Sequence, residues 1–150
     1  MGRERHEPFC YRTRNVSETK RILIVDDDRD VHQLLLAALA APDRAIDSAY
    51  DGLEGLQRVE AAPYDLVLTD VNMPGLDGMA LLERIRGIRP GTKVVVMTVA
   101  NTPENVIRAI REQAFAYFSK PFTLDAVGEM VARIGQRRSR KRYRTSFRTP

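Results

Sequence analysis

The sequence is poor in the side chains that form disulfides and transition-metal sites. Cys10 is its single cysteine, and His6 and His32 are its only histidines. These counts exclude an internal disulfide, a cysteine-based zinc site and a histidine-rich metal centre. No apolar run approaches the roughly 20 residues that a membrane-spanning helix needs, and residues 1–15 lack the apolar stretch of a secretory signal. We therefore expect a soluble, cytoplasmic protein.

Acidic residues are missing from the C-terminal end, and the basic residues there make the net charge of the whole chain positive. The 150 residues include 24 lysines and arginines against 20 aspartates and glutamates, which makes a formal net charge of +4. Residues 136–150 carry seven of the basic side chains and no acidic one, so the rest of the chain is acidic. The basic isoelectric point therefore comes from a short tail and does not identify the domain as a nucleic-acid binder.

Between residues 20 and 135, short apolar runs alternate with stretches of helical spacing. Unbroken apolar runs of this length are typical of strands covered on both faces, and the intervening stretches are long enough for helical crossovers. The alternation predicts an α/β fold of five βα units, doubly wound around a parallel sheet. Residues 1–19 are expected to be a flexible extension and residues 136–150 a basic tail. The apolar runs lie at residues 22–25, 66–68 and 94–97, with weaker ones at 46–50 and 116–118.

Polar side chains follow four of the five predicted strands, at the points where those strands end. In an open parallel sheet the carboxyl ends of the strands share one edge, where such proteins bind their ligands. We therefore expect these side chains to lie together. They are Asp26, Asp27 and Asp28 after the first strand, Asp70 after the third, Thr98 after the fourth, and Lys120, followed by Pro121, after the fifth.

The predicted group of carboxylates requires a positive partner. Two carboxylates 4 Å apart repel by about 4 kcal/mol at an effective dielectric constant of 20. Oxygen ligands without cysteine or histidine select Mg²⁺ or Mn²⁺. An aspartate beside such an ion can attack phosphorus and form an acyl phosphate, and an ammonium and a hydroxyl can stabilise the developing charge. The residue types are therefore sufficient for phosphoryl transfer to an aspartate.

Four segments, ILIVDDD, LVLTDVNMPGLDGM, VVVMT and FSKPF, occur in this order along the chain. They resemble the motifs of response-regulator receiver domains of two-component signalling, and the resemblance spans about residues 20–135. It implies a flavodoxin-like three-layer fold with the strand order 2-1-3-4-5. It also implies a phosphoacceptor, without enzymatic activity beyond self-phosphorylation and self-dephosphorylation. The phosphoryl donor would be a sensor histidine kinase or a histidine phosphotransfer protein.

The resemblance also assigns roles to individual residues. It implies that Asp70 is the phosphoacceptor and that Lys120 contacts the phosphoryl oxygens. It implies that Asp26, Asp27 and Asp70, together with the backbone carbonyl of Asn72, bind Mg²⁺. Asp26 and Asp27 would then act together, since they follow the same strand.

The resemblance also implies that a second set of residues takes part in switching. Thr98 would move toward the phosphoryl group, and Tyr117 would rotate inward into the space that Thr98 leaves. The face formed by the fourth helix, the fifth strand and the fifth helix would then change and signal to a downstream protein, with a homodimer as one outcome. The bond from Lys120 to Pro121 is expected to be cis, as in the family.

Two positions depart from the family pattern. Val99 follows Thr98 where the family usually has a small residue, and we expect it to narrow access to Asp70. Gln113 stands where a glycine commonly ends the fourth helix, and we expect a strained or reshaped turn there. Neither departure removes a residue that the chemistry requires.

The first predicted helix supplies two further expectations. Val31, Leu34, Leu35 and Leu39 fall on one helical face, which should pack against the sheet. We expect His32 to lie on a solvated face of that helix. It is not expected to be the phosphorylated histidine of a kinase, since the chain has no ATP-binding motif.

Two other functions remain open at this point. Seven basic residues with Tyr143 and Phe147 among them could bind RNA, DNA or an anionic membrane surface, although a solvated extension has the same composition. Asp26 and Asp28 also form the DxD pattern of dehalogenase-type phosphatases. Asp30 stands where that class has Thr or Val, and the second acidic pair is missing.

Overall fold

Five strands and five helices alternate along the chain in the computed structural model, which describes residues 19–99 and 102–135. Residues 1–18, most of the predicted extension, and the tail of residues 136–150 lie outside this description. None of the described helices is long and apolar enough to cross a membrane. The strands are β1 (Lys20–Val25), β2 (Arg44–Ala49), β3 (Leu66–Asp70), β4 (Lys93–Thr98) and β5 (Ala116–Ser119). The helices are α1 (Arg29–Leu39), α2 (Gly52–Ala61), α3 (Gly78–Ile88), α4 (Pro103–Arg111) and α5 (Leu124–Gly135).

The strands form one parallel sheet in the order β2-β1-β3-β4-β5. The predicted α/β fold and strand order are therefore confirmed. Three strands begin earlier than their apolar runs, since β1, β2 and β4 start with Lys20, Arg44 and Lys93. Charged residues are tolerated there because these three side chains are only partly buried.

Both faces of the sheet are covered, which explains the unbroken apolar runs. Ile22 and Ile24 contribute to a core shared with α1 and α5, whereas Leu23 and Val25 contribute to a second core shared with α2, α3 and α4. All four side chains are at most 1% exposed. Successive residues of a strand point to opposite faces, so a segment that is covered on both faces, such as residues 22–25, is apolar at every position.

The helices begin at the edge where the strands end, and each begins with a polar cap. The side chains of Asp28, Asp51, Asp77, Thr102 and Thr123 accept hydrogen bonds from backbone N–H groups in the first turns of α1 to α5. A cap of this kind contributes about 1 kcal/mol to helix stability. Capping therefore accounts for part of the acidic character of this edge.

The expectation that His32 is solvated is wrong. Its side chain is 2% exposed, and α1 buries His32, Leu35 and Leu39, whereas Leu34 is 45% exposed. The positions i, i+3 and i+7 lie on one helical stripe, so His32 belongs to the face that packs on the sheet. The apolar pattern missed this because a hydrogen-bonded histidine ring occupies a position that a hydrophobic residue usually fills.

The predicted unusual turn after the fourth helix is present. Gln113 has φ of +64°, in the left-handed region that favours glycine. Its N–H donates to the carbonyl of Ile110 at 3.0 Å, and the N–H of Ala114 donates to the carbonyl of Ala109 at 2.9 Å. These two bonds form a Schellman motif that satisfies the last carbonyls of α4. The turn therefore places glutamine at a left-handed position where glycine has no steric cost.

Replacing Gln113 with glycine should therefore stabilise the protein. We expect Gln113→Gly to raise the free energy of unfolding by about 0.5–1 kcal/mol, because relief of the left-handed strain exceeds the added flexibility of the unfolded chain. Urea unfolding measures this change. Glu112→Gly is the matched control, since Glu112 has φ of −85° and should lose stability. Equal losses in both variants would contradict the interpretation.

Candidate phosphoacceptor site

Three carboxylates converge at the carboxyl end of the sheet. Asp26 and Asp27 follow β1, and Asp70 is the last residue of the neighbouring strand β3. One carboxylate oxygen from each lies within 4.8 Å of the others. Asp26 and Asp70 are buried, whereas Asp27 is exposed. The structure thus brings together the three side chains that the sequence placed at this edge.

Asp26 is fully buried, and each of its polar atoms has a partner. Its N–H donates to the carbonyl of Ala49 at 3.1 Å, and its own carbonyl lies 2.7 Å from Nε2 of His32. Its Oδ1 accepts from the N–H of Asp28 at 2.9 Å, and its Oδ2 accepts from Nζ of Lys120 at 2.9 Å. Burying an ionised carboxylate is costly unless it is hydrogen-bonded and paired, and these bonds meet that requirement.

Lys120 provides the positive charge of the site. Its Nζ lies 2.9 Å from Asp26 Oδ2 and 3.6 Å from Asp70 Oδ1, and the peptide bond to Pro121 is cis. Burial lowers the pKa of Lys120, but the hydrogen bond that Lys120 donates to Asp26 and the charges of Asp26 and Asp70 raise it, with a net increase. The ammonium form is therefore favoured at physiological pH, between two carboxylates.

Burial has the opposite consequence for Asp70. Its side chain loses solvation, which raises its pKa, and the nearby charge of Asp26 raises it further, against a lowering by Lys120. The ionised carboxylate of Asp70 is thus held in an environment that disfavours it, and a bound cation would relieve this cost.

A close backbone contact fixes the end of β3. Gly78 donates its N–H to the carbonyl of Val71 at 2.9 Å, and a Cβ at this position would overlap the carbonyl oxygen of Asp70. Only glycine allows α3 to begin so near the strand. The approach of Gly78 therefore restrains the backbone that carries Asp70.

Thr98 and Asn72 lie beside the carboxylates. Thr98 ends β4 and is fully buried, and its Oγ1 accepts a hydrogen bond from Nδ2 of Asn72 at 3.2 Å. The sequence assigned a role only to the backbone carbonyl of Asn72, so this side-chain contact is an addition. Val99 is 70% exposed directly after Thr98, and its effect on access to Asp70 stays a prediction.

Tyr117 lies on the same face of the sheet as Thr98. It pairs with Val96 in the β4–β5 register, and Val96 is two residues before Thr98. Residues two apart on a strand share a face, so the Tyr117 and Thr98 side chains are diagonal neighbours by register. Tyr117 is half-buried against the core of α2, α3 and α4, and this burial raises its pKa.

The donor set fits a hard divalent cation. The three carboxylates are oxygen ligands from Asp26, Asp27 and Asp70, and their closest oxygens are within reach of one ion. Mg²⁺ binds through one or two carboxylates and retains water ligands, which the exposed side of Asp27 permits. The arrangement can therefore hold a metal and place a nucleophilic carboxylate beside it.

The raised pKa of Asp70 predicts a pH-dependent effect of Asp70→Asn. A group with a raised pKa in the folded state contributes stability that is complete below its ordinary value of 3.8 and is lost as the pH rises through the folded value. The neutral amide does not lose it. In metal-free protein, the gain in unfolding free energy from Asp70→Asn should be small in acid and grow toward neutral pH. Urea unfolding in a chelator measures it, and a gain that is largest in acid would contradict this assignment.

Comparison with known proteins identifies relatives that this chain matches over part of their own length. NtrC, a DNA-binding transcriptional regulator of Escherichia coli K12, is 33% identical over 112 residues, which are 75% of this chain and 24% of NtrC. DltR, a transcriptional regulatory protein of Streptococcus agalactiae serotype III, is 32% identical over 114 residues, which are 76% of this chain and 50% of DltR. The chain therefore spans half or less of the length of these curated relatives.

Solved structures agree with the architecture. The CheY-like response regulator receiver domain protein of Methanospirillum hungatei JF-1 superimposes with a TM-score of 0.76 at 30% identity, covering 81% of this chain and 98% of that one. A model of the response regulator receiver domain family matches residues 22–132, which include every site residue described above. Phosphorylation and Mg²⁺ binding are typical of this family. The chain belongs to the response regulator receiver domain family.

Proposed function

We propose that this receiver accepts one phosphoryl group on Asp70 from a sensor histidine kinase or a histidine phosphotransfer protein. The observation that supports the proposal most is the convergence of Asp26, Asp27 and Asp70, with the ammonium of Lys120 3.6 Å from Asp70. Residues 20–135 constitute the receiver in this proposal. The phosphatase alternative is set aside, since the family model covers the chain from residue 22 to 132.

The transfer uses the Asp70 carboxylate as the nucleophile. One of its oxygens attacks phosphorus, and a new P–O bond forms while the P–N bond to the donor imidazole breaks, with the electron pair remaining on nitrogen. Lys120 donates hydrogen bonds to the phosphoryl oxygens, exchanging its contact with Asp70 for a group of greater charge. In the proposed self-dephosphorylation, water attacks the phosphorus of the aspartyl phosphate; the P–O bond to Asp70 breaks, its electron pair returns to the carboxylate, and inorganic phosphate leaves.

Mg²⁺ is held in this proposal by the carboxylates of Asp26, Asp27 and Asp70 and by the backbone carbonyl of Asn72, and Mn²⁺ would fit the same ligands. Bound Mg²⁺ would supply the positive charge that offsets the phosphoryl oxygens. The bonds that Asp26 makes to Lys120 and to Asp28 already orient its carboxylate before any ion arrives.

Switching begins at Thr98 in this proposal. A phosphoryl group adds roughly −1.5 to −2 charges and three acceptor oxygens, which attract the Thr98 hydroxyl away from Asn72. Tyr117, its diagonal neighbour, then moves into the vacated space. The exchange shifts the population of two arrangements of α4, β5 and α5.

The face of α4, β5 and α5 is the proposed contact for a downstream protein or a second copy of the chain. Ile107 and Ile110 of α4 are exposed on it, which favours protein contact. Arg86 of α3 donates to the carbonyl of Glu112 at 2.7 Å and so restrains the C-terminal end of α4. A change at Thr98 is therefore expected to move the N-terminal part of α4 more than its end.

Incubation with acetyl phosphate and Mg²⁺ should add one phosphoryl group, which intact-protein mass spectrometry detects. Asp70→Asn should abolish the adduct, because the amide cannot act as the nucleophile. Asp77→Asn is the matched control, since Asn caps α3 as well as Asp does and the site is left intact. A reaction that contains chelator serves as the blank. The proposal would be contradicted by an adduct that persists in Asp70→Asn, or by the absence of an adduct in the folded wild-type protein.

The basic tail carries a second candidate function, which stays a prediction from sequence. Seven basic side chains with Tyr143 and Phe147 are compatible with binding to RNA, DNA or an anionic membrane surface, and equally with a solvated extension. Deletion of residues 136–150 should then abolish salt-sensitive binding, measured with oligonucleotides and with phosphatidylserine vesicles. Binding that survives the deletion would show that the receiver, and not the tail, is responsible.

A further inference from the structure

His32 has polar contacts that connect the core of α1 to the acidic site. Its ring is 2% exposed, with Nε2 2.7 Å from the backbone carbonyl of Asp26 and Nδ1 3.0 Å from Oγ of Ser48. A carbonyl oxygen can only accept, so Nε2 carries the proton of that bond. The ring also packs on Tyr50, with centroids 4.4 Å apart.

The carbonyl of Asp26 is a critical atom for the site geometry. It belongs to the peptide plane that joins Asp26 to Asp27, and a planar peptide rotates as one unit. A hydrogen bond that fixes this oxygen therefore fixes the directions in which the chain enters Asp27. Asp27 is exposed, so its carboxylate depends on its backbone for its position more than on packing.

The ring is itself held by three contacts, with the Asp26 carbonyl, Oγ of Ser48 and the Tyr50 ring. Ser48 lies on β2, Tyr50 directly follows β2, and the guanidinium of Arg29 lies 4.4 Å from the Tyr50 ring centroid. His32 thus connects α1, the end of β1 and the end of β2. A side chain held this firmly restrains the atom to which it donates.

We propose that His32 is a positioning residue for the acidic site: its Nε2–H fixes the Asp26–Asp27 peptide, and so sets the Mg²⁺ affinity and the rate of phosphorylation of Asp70. The inference rests on the proposed function. His32 acts through the Asp26–Asp27 peptide and does not contact the phosphoryl group. Loss of an outer partner of this kind typically reduces metal affinity about 10- to 100-fold.

Two amide substitutions separate positioning from packing. His32→Gln retains a donor at the place of Nε2, within reach of the Asp26 carbonyl, whereas His32→Asn retains only a polar group at the place of Nδ1, near Ser48. Ser48→Ala removes the Nδ1 contact alone. We expect Mg²⁺ affinity of the unphosphorylated protein, measured by isothermal titration calorimetry, to fall about tenfold in His32→Asn. His32→Gln and Ser48→Ala should stay within about threefold of the wild type.

A second measurement needs no metal. In metal-free protein, amide hydrogen exchange at Asp28, whose N–H donates to Asp26 Oδ1 at 2.9 Å, should quicken in His32→Asn and match the wild type in His32→Gln. Equal Mg²⁺ affinity in His32→Asn and wild type would overturn the inference. Equal losses in His32→Asn and His32→Gln would also overturn it, since the histidine would then act through packing. The wild-type phosphorylation assay tests the proposed function separately, because it is independent of any His32 variant.

Discussion

The structure depends on placing two buried carboxylates, Asp26 and Asp70, beside each other at the end of a sheet. Their repulsion and their loss of solvation oppose folding, and Lys120 offsets both by lying 2.9 Å from one and 3.6 Å from the other. One ammonium cannot neutralise the three carboxylates of Asp26, Asp27 and Asp70, so the site keeps an excess of negative charge. In the proposed function, this excess favours the binding of a divalent cation and then of a phosphoryl group together with its cation.

The parallel sheet makes this arrangement possible. Residues that are 94 apart in the chain, Asp26 and Lys120, form a hydrogen bond because the ends of β1 and β5 share one edge. Helix N-termini meet at the same edge, and Gly78 brings α3 against the backbone of Asp70. The core on both faces therefore holds the charged groups, whereas Tyr117 is half-buried and Ile107 and Ile110 of α4 are exposed.

Much of this could be predicted from sequence because the signals were local. Polar residues that follow the apolar runs, namely Asp26, Asp70, Thr98 and Lys120, could be placed at one edge once the alternation predicted a parallel sheet. The burial of His32 could not be predicted, since its partners, the Asp26 carbonyl and Ser48, are brought to it only by the fold. His32 lies on the same helical stripe as Leu35 and Leu39, and this spacing was a signal of its burial. A pattern built from apolar residues does not include it, because histidine is polar.

Paramagnetic relaxation by Mn²⁺ tests the central claim most directly. If the ends of β1, β3 and β5 form one cation site, substoichiometric Mn²⁺ should broaden the amide signals around Asp26, Asp27, Asp70 and Lys120 together, at a single midpoint that Mg²⁺ shifts by competition. Broadening around these residues at different midpoints, or confined to acidic residues at another part of the surface, would contradict the account.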